Sequence, residues 1–291
     1  KRLHNASSST STQHLIDLVK AAKKADGSLI FQYDSAGAVP AASDTDKRLI
    51  FVSNLGELKF NNNGNWDNLV GETDIEAEPS IFQGTNYGYS TGGSAPVSNV
   101  IDKFPFSSDA NATDVGDLTV ARYDLTGQSS ETHGYSSGGL APPTLSNVID
   151  KFPFAADANA TDVGNLTVAR AGGVGQSSAD NGYTSSGGTP ESNVIDKFPF
   201  STDANATDVG DLTFARRWGA GQSSSTNGYT SGGARPFPDP LLNIIDKFPF
   251  AADANATDVG DLSVGRSSGI AGQSSTTHGY SSGGYGPTGP L

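Results

Sequence analysis

From Tyr87 onward the apolar residues fall in short runs, two to four residues long, separated by Gly, Asp, Asn and Ser. The runs return at a fixed spacing. NVIDKFPFSSDANATDVGDLTVAR, Asn99–Arg122, recurs almost unchanged at Asn147–Arg170, Asn193–Arg216 and Asn243–Arg266. Its aspartates at 102, 150, 196 and 246 give periods of 48, 46 and 50 residues. After each copy come Gly-Gln-Ser-Ser and a tyrosine ahead of a Gly-Gly pair. Short alternating runs between turn-forming residues predict β-strands. Pro105, Pro153, Pro199 and Pro249 interrupt every copy and exclude a helix there. Each unit holds four strand-like pieces, which in the first full unit are Tyr123–Ser130, Thr132–Ser137, the NVIDKFPF run and the region around DVGDLTV. Four strands in a unit of this length describe one blade of a β-propeller. The prediction is therefore an all-β propeller of four-stranded blades over residues 82–291.

Strand counting sets the blade number. Gly-Gly strands end at Gly93, Gly139, Gly188, Gly233 and Gly284, which favours five blades, with four or an open segment as alternatives. The first strand-turn-strand hairpin of the chain, within Glu57–Leu69, could close the ring by pairing with the C-terminal strands and removing two sheet edges. Within the repeat, the step from aspartate to arginine is 20 residues in all four copies. The segment between Gly-Gly and the next asparagine instead holds five, seven, four and nine residues. Length variation is thus confined to one loop per blade. Variable loops on a rigid scaffold are where binding surfaces are built, and the longest carries Arg235, Phe237 and Asp239.

Ahead of the repeats, residues 1–27 read as a Ser/Thr-rich tail and a short helix over Thr12–Ala25, with Leu15, Leu18, Val19 and Ala22 at helical spacing. Too short to stand alone, that helix is expected to anchor on a partner. Residues 28–81 read as a small β module, with strands in Ser28–Tyr33, Arg48–Ser53 and Leu55–Leu69.

Composition narrows the function. With a net charge of −13 and no basic stripe, the chain has nothing to neutralise a nucleic-acid backbone. No apolar run reaches membrane-spanning length, so no membrane insertion is expected. Cysteine is absent, which excludes disulfides, and the lack of methionine marks a processed product or a segment of a longer chain. Catalysis finds little support. His133 and His278 occupy a repeat position filled elsewhere by Asn181, Asn227 and Tyr87, which is how a polar packing site behaves. The repeated Asp-Lys pairs and the arginines 122, 170, 216 and 266 are expected to bridge neighbouring blades. No nucleophile–base pair stands out, and the expectation is a protein that is not an enzyme.

The sharpest chemical candidate is the turn DANATDVGD. Oxygen side chains stand at its first, third, fifth and ninth positions: Asp109, Asn111, Thr113 and Asp117; Asp157, Asn159, Thr161 and Asn165; Asp203, Asn205, Thr207 and Asp211; Asp253, Asn255, Thr257 and Asp261. Hard oxygens at alternate positions around a tight turn suit calcium, and the pattern resembles the calcium loops of EF-hands and integrin propellers. The alternative is that these side chains hold the turn through Asx-type hydrogen bonds, with no metal.

Two family resemblances complete the reading. Gly138-Gly139, Ile149-Asp150, Leu166 and Arg170 stand in the order of a kelch repeat, although the kelch tryptophan after the turn is absent. The GELKF strand, Asn/Gly turn and Asn65-Trp66 resemble short modules of bacteriophage tail-fibre and other virion proteins. Together they imply a non-enzymatic structural or adhesive virion protein, either tail fibre or surface decoration. It would join other virion proteins through its N-terminal segment and present its propeller to a host surface glycan or receptor, with homo-oligomerisation compatible. A non-viral extracellular or cell-surface propeller that binds glycans is the alternative.

Overall fold

The computed structural model describes residues 31–33, 49–52, 57–62, 65–68, 86–235, 241–275 and 277–290. The expected helix over Thr12–Ala25, and Phe237 and Asp239 of the expected binding loop, lie outside the described residues. The chain divides into two units, Lys1–Pro79 and Ser80–Leu291.

In the first unit, Phe31–Tyr33, Leu49–Val52, Glu57–Asn62 and Asn65–Asn68 form one four-stranded sheet in chain order. The first pair is parallel and the others antiparallel. Two of these strands lie in Glu57–Leu69, the stretch that the sequence offers for closing the propeller ring. Its strands pair with each other and with Leu49–Val52. The apolar LIFV strand just upstream offers an edge at small loop-closure cost.

The second unit is all β, with five antiparallel sheets arranged as propeller blades and a small two-stranded sheet, Leu140–Ala141 with Thr144–Leu145, in the loop of the second. Blade I holds Tyr87–Ser94, Val97–Pro105 and Thr113–Asp117. The next three are complete: Thr126–Ser129, His133–Ser137, Val148–Pro153 and Thr161–Asn165 in blade II; Val174–Ser177, Asn181–Ser185, Ser192–Pro199 and Thr207–Arg216 in blade III; Ala220–Ser223, Asn227–Ser231, Ile244–Pro249 and Thr257–Asp261 in blade IV. Blade V has Ser267–Ser274, Gly279–Gly286 and the short Gly289–Pro290. Among the described residues blade I thus lacks a first strand, and blade V has no third strand longer than two residues. Among the described residues no strand pairing joins blade I to blade V.

The third strand explains how the blades stack. Ile149 and Asp150 are neighbours, and both are fully buried. Successive side chains on a strand point to opposite faces, and a central blade is covered on both. Ile149 packs towards blade III with Phe198, while Asp150 meets Arg122 of blade I. A register shift between Ile149 and Asp150 against the fourth strand bends the ladder at this point, and it recurs in the other full blades. The apolar cores consequently lie between blades. Tyr135, Ile149 and Leu166 of blade II join Phe198 and Ala206 of blade III, and equivalent residues form the flanking cores. Tyr135 stacks on Phe200 with ring centres 4.9 Å apart, and Tyr183 on Phe250 at 4.8 Å.

The first strands approach each other most closely. A side chain at Gly175 would put its Cβ 2.2 Å from the Gly127 carbonyl oxygen, and Gly221 meets Gly175 in the same way. Only glycine permits that approach. Gln128 then reaches across, its Nε2 donating to the Tyr183 carbonyl at 3.0 Å and to Thr184 Oγ1 at 2.8 Å; Gln176 and Gln222 repeat the bridge.

Candidate functional site

Most residues singled out by their chemistry serve the interfaces. Asp150, Asp196 and Asp246 accept from Arg122, Arg170 and Arg216 of the preceding blade at 2.9, 2.8 and 2.6 Å. All six side chains are buried. Each aspartate also takes the amide and hydroxyl of Thr119, Thr167 or Thr213. Burial pulls the Arg170 and Arg216 guanidiniums down from the ordinary arginine value, opposed by Asp196 and Asp246 respectively.

The DANATDVGD turns lie across the same interfaces. Their first residues Asp157, Asp203 and Asp253 pair with Lys103, Lys151 and Lys197 of the preceding blade. The third-position oxygens of Asn159, Asn205 and Asn255 accept the N–H of Asp117, Asn165 and Asp211 in that blade, at 3.1, 3.0 and 3.0 Å. In blades II to IV the candidate first- and third-position ligands therefore face a neighbour; Asp109 and Asn111 of blade I have no such partner among the described residues. The fifth-position residues Thr113, Thr161, Thr207 and Thr257 open the fourth strands, and ninth-position Asp117, Asn165, Asp211 and Asp261 stand four residues on. The Asx-type bond is made at the sixth position, where Asp114, Asp162, Asp208 and Asp258 each accept the amide two residues ahead at 3.1 Å. Among the described residues no three His, Cys, Asp or Glu side chains gather as a metal site. His133 and His278 each bond a neighbouring threonine, Thr132 or Thr277, through Nδ1 at 2.8 Å. Burial holds the His133 imidazole below its ordinary value, with Lys151 acting in the same direction.

One loop departs from the repeat in its residues while keeping the backbone that the copies share. The loops from fourth strand to next first strand interlock: Gly172 N–H donates to Asp124 O at 2.8 Å, Trp218 to Gly172 O at 2.8 Å, and Ser268 to Trp218 O at 3.2 Å. All four linked residues hold a left-handed backbone, with φ of 52° at Asp124, 66° at Gly172, 58° at Trp218 and 50° at Ser268. For a bulky aromatic this conformation is strained, and such strain gathers at functional sites. The Trp218 indole lies over Gly172, where a Cβ would come within 2.6 Å of it. The Arg217 guanidinium stands 3.9 Å from the Trp218 ring centre. Arg217 Nη1 donates to Thr189 Oγ1 at 3.1 Å, and its Nε forms an ion pair with Glu191 at 3.3 Å without hydrogen-bond alignment.

These contacts join that loop to two of the length-variable segments. Thr189 and Glu191 belong to the shortest one. Ala234, which opens the longest, exchanges backbone bonds with Arg217 at 3.0 and 2.8 Å. Arg235 of the expected binding loop lies over Phe214 at 4.9 Å. Phe214 itself is 39% exposed and replaces the exposed valines Val120, Val168 and Val264 of the other copies. Arg217, Trp218, Phe214 and Glu191 were not singled out from sequence. Their signal was departure from the repeat: ARRWG stands where the other copies have ARYDL, ARAGG and GRSSG.

An Arg/Trp/Phe cluster beside two variable loops can stack a planar or apolar face and donate charged hydrogen bonds beside it. No protein-family model and no curated protein matches the chain.

Proposed function

We propose that this is a non-enzymatic structural and adhesive protein of a bacteriophage virion, tail fibre or surface decoration, whose propeller presents the face of Trp218, Arg217, Phe214 and Arg235 to a host surface glycan. One observation carries the binding reading. Three internal interfaces repeat the same contacts, while the copies differ at Phe214, Arg217 and Trp218, where the Arg217 guanidinium lies 3.9 Å from the Trp218 ring centre and Arg235 lies 4.9 Å from that of Phe214. Conformational strain at a tryptophan persists only where surrounding contacts hold it. A stacking platform flanked by guanidiniums suits a sugar ring with an acidic substituent. The virion assignment rests on the resemblance of the Glu57–Trp66 stretch to virion modules, and the N-terminal segment is its proposed attachment to the particle.

Two experiments separate the parts of this reading. On a glycan array, the intact chain should bind a defined subset of acidic glycans. Trp218→Ala and Arg235→Ala should each weaken that binding about tenfold or more, as truncation of an aromatic or arginine anchor does. Retention of full binding by both variants would end the assignment of this face. Immunogold electron microscopy of source particles tests the location, and label confined to free or cell-surface protein would favour the non-viral alternative.

A further inference from the structure

At each of the three internal interfaces the same groups meet. An arginine finds a buried aspartate, a lysine finds the first residue of the turn, a ninth-position amide finds an asparagine, and a tyrosine stacks on two phenylalanines. The donors come from one blade and the acceptors from the next. One half of this set is left over at each end of the series.

In blade I, Asp102 has no arginine and Asp109 no lysine among the described residues, and no amide donates to Asn111. Phe104 is 38% exposed, where the equivalent Phe152, Phe198 and Phe248 are buried, and Phe106 is 57% exposed, where Phe154, Phe200 and Phe250 are partly buried. The far side of blade IV is the converse. Among the described residues Lys247 has no carboxylate, and the Arg266 guanidinium bonds only Val264 O and Ser263 Oγ, at 3.4 and 3.5 Å. Gly260 faces open space where Gly116, Gly164 and Gly210 pack on a turn carbonyl. Tyr229 has no ring partner among the described residues. One end is acidic with exposed phenylalanines; the other is basic with an unmatched tyrosine.

We propose that a second copy of this chain docks head to tail on the first. Its Asp102, Asp109 and Asn111 meet Arg266, Lys247 and the Asp261 amide, and its Phe104 and Phe106 meet Tyr229. The incomplete blades complement each other in the same arrangement. Blade V offers a first and second strand beside blade IV, and blade I brings the third and fourth. Tyr87–Ser94 and Gly279–Gly286 carry the same pattern, GYSTGG and GYSSGG, so either satisfies the register of the third strand. Exchanging one for the other follows the logic of domain swapping. A head-to-tail contact of this kind gives a ring if the rotation closes and a filament if it does not.

The absence of cysteine makes the test clean. Internal amide-to-asparagine distances of 3.0–3.1 Å bring the two backbones within reach of a disulfide. Asn111→Cys and Asp261→Cys are made separately in the full chain, mixed in equal amounts and oxidised. The expected result is a disulfide-linked heterodimer exceeding the homodimer of either variant alone, with light-scattering mass that rises with concentration for the unmodified chain. Asp102→Arg and Arg266→Asp should each abolish that rise, and the two changes in one chain should restore it. A mass fixed at one copy, with no heterodimer, overturns the proposal. So does a double-cysteine chain that crosslinks only within itself, which would mean that the ends meet inside one molecule.

Discussion

The buried Arg170–Asp196 pair permits a demanding stability prediction. The two side chains are 1% and 0% exposed and meet at 2.8 Å. Asp196 also accepts Thr167 N–H at 3.1 Å and Thr167 Oγ1 at 2.6 Å. Arg170 keeps only the Thr184 carbonyl if the carboxylate goes, because its Nε and Nη1 already lack partners. Asp196→Ala therefore leaves a buried cation with one hydrogen bond. Breaking one side of such a pair costs about 3–5 kcal/mol. For a unit of this size, about 2–4 °C of melting temperature per kcal/mol makes that roughly 6–20 °C. The protein contains its own control, since Asp102 fills the same repeat position with no arginine among the described residues. In dilute protein Asp102→Ala should cost under about 1 kcal/mol, as surface changes do. Replacing both partners, Arg170→Met with Asp196→Leu, should recover most of the loss, because buried ion pairs exchange well for apolar residues of similar volume. Calorimetry of the four proteins decides. Equal shifts for Asp196→Ala and Asp102→Ala would refute the reasoning, and an unrecovered double variant would place the cost in shape and not in the stranded charge.

Other expectations use the same internal comparisons. Gly175→Ala must push a methyl against the Gly127 carbonyl and should destabilise by about 1–3 kcal/mol in urea unfolding. Gly127→Ala, with nothing within 4 Å of its Cβ, should be near neutral; equal effects would deny the close stacking of the first strands. EDTA should leave the melting temperature unchanged, because Asp157, Asp203 and Asp253 hold lysines and the paired asparagines hold amides. A large drop reversed by calcium would establish the turns as metal sites. Burial raises the Tyr135 and Tyr183 phenols above their ordinary value, partly offset by Ser130 and Ser178. Their contribution is full below a pH of about 10 and is lost as pH rises through the higher folded-state values. Phenolate absorbance should accordingly lag free tyrosine and then appear together with unfolding; a titration matching free tyrosine from the start would contradict the burial.

The blades were legible in sequence because the repeat states each strand several times. Pro153, Gly138-Gly139 and the fixed step from Asp150 to Arg170 leave little choice of register. The arginine–aspartate bridges were legible as well, since both residues recur at constant spacing. Less could be read about direction. Alternation identifies the buried face of a strand only when the other face is wet, and Ile149 and Asp150 are both dry. Which neighbour each addressed was therefore not written in the pattern. The turn oxygens posed the same problem: oxygens at alternate positions suit a cation, yet Asp157 and Asn159 equally suit a lysine and an amide from the adjoining blade. Trp218 escaped notice for the opposite reason. A search for what the copies share passes over the position where one differs, and its left-handed backbone has no signature in a residue type that rarely adopts it.

The placement of the apolar cores between blades has a genetic consequence. Donor and acceptor of the three matched junctions sit at the same offsets in each copy, so unequal crossing-over between two of these copies excises or duplicates a whole blade and leaves the new junction correctly matched. The encoding gene can therefore change length in steps of one repeat without passing through a misfolding product. The loop-borne cluster of Arg217 and Trp218 travels with its blade as a cassette, free to be lost, copied or replaced while the architecture persists.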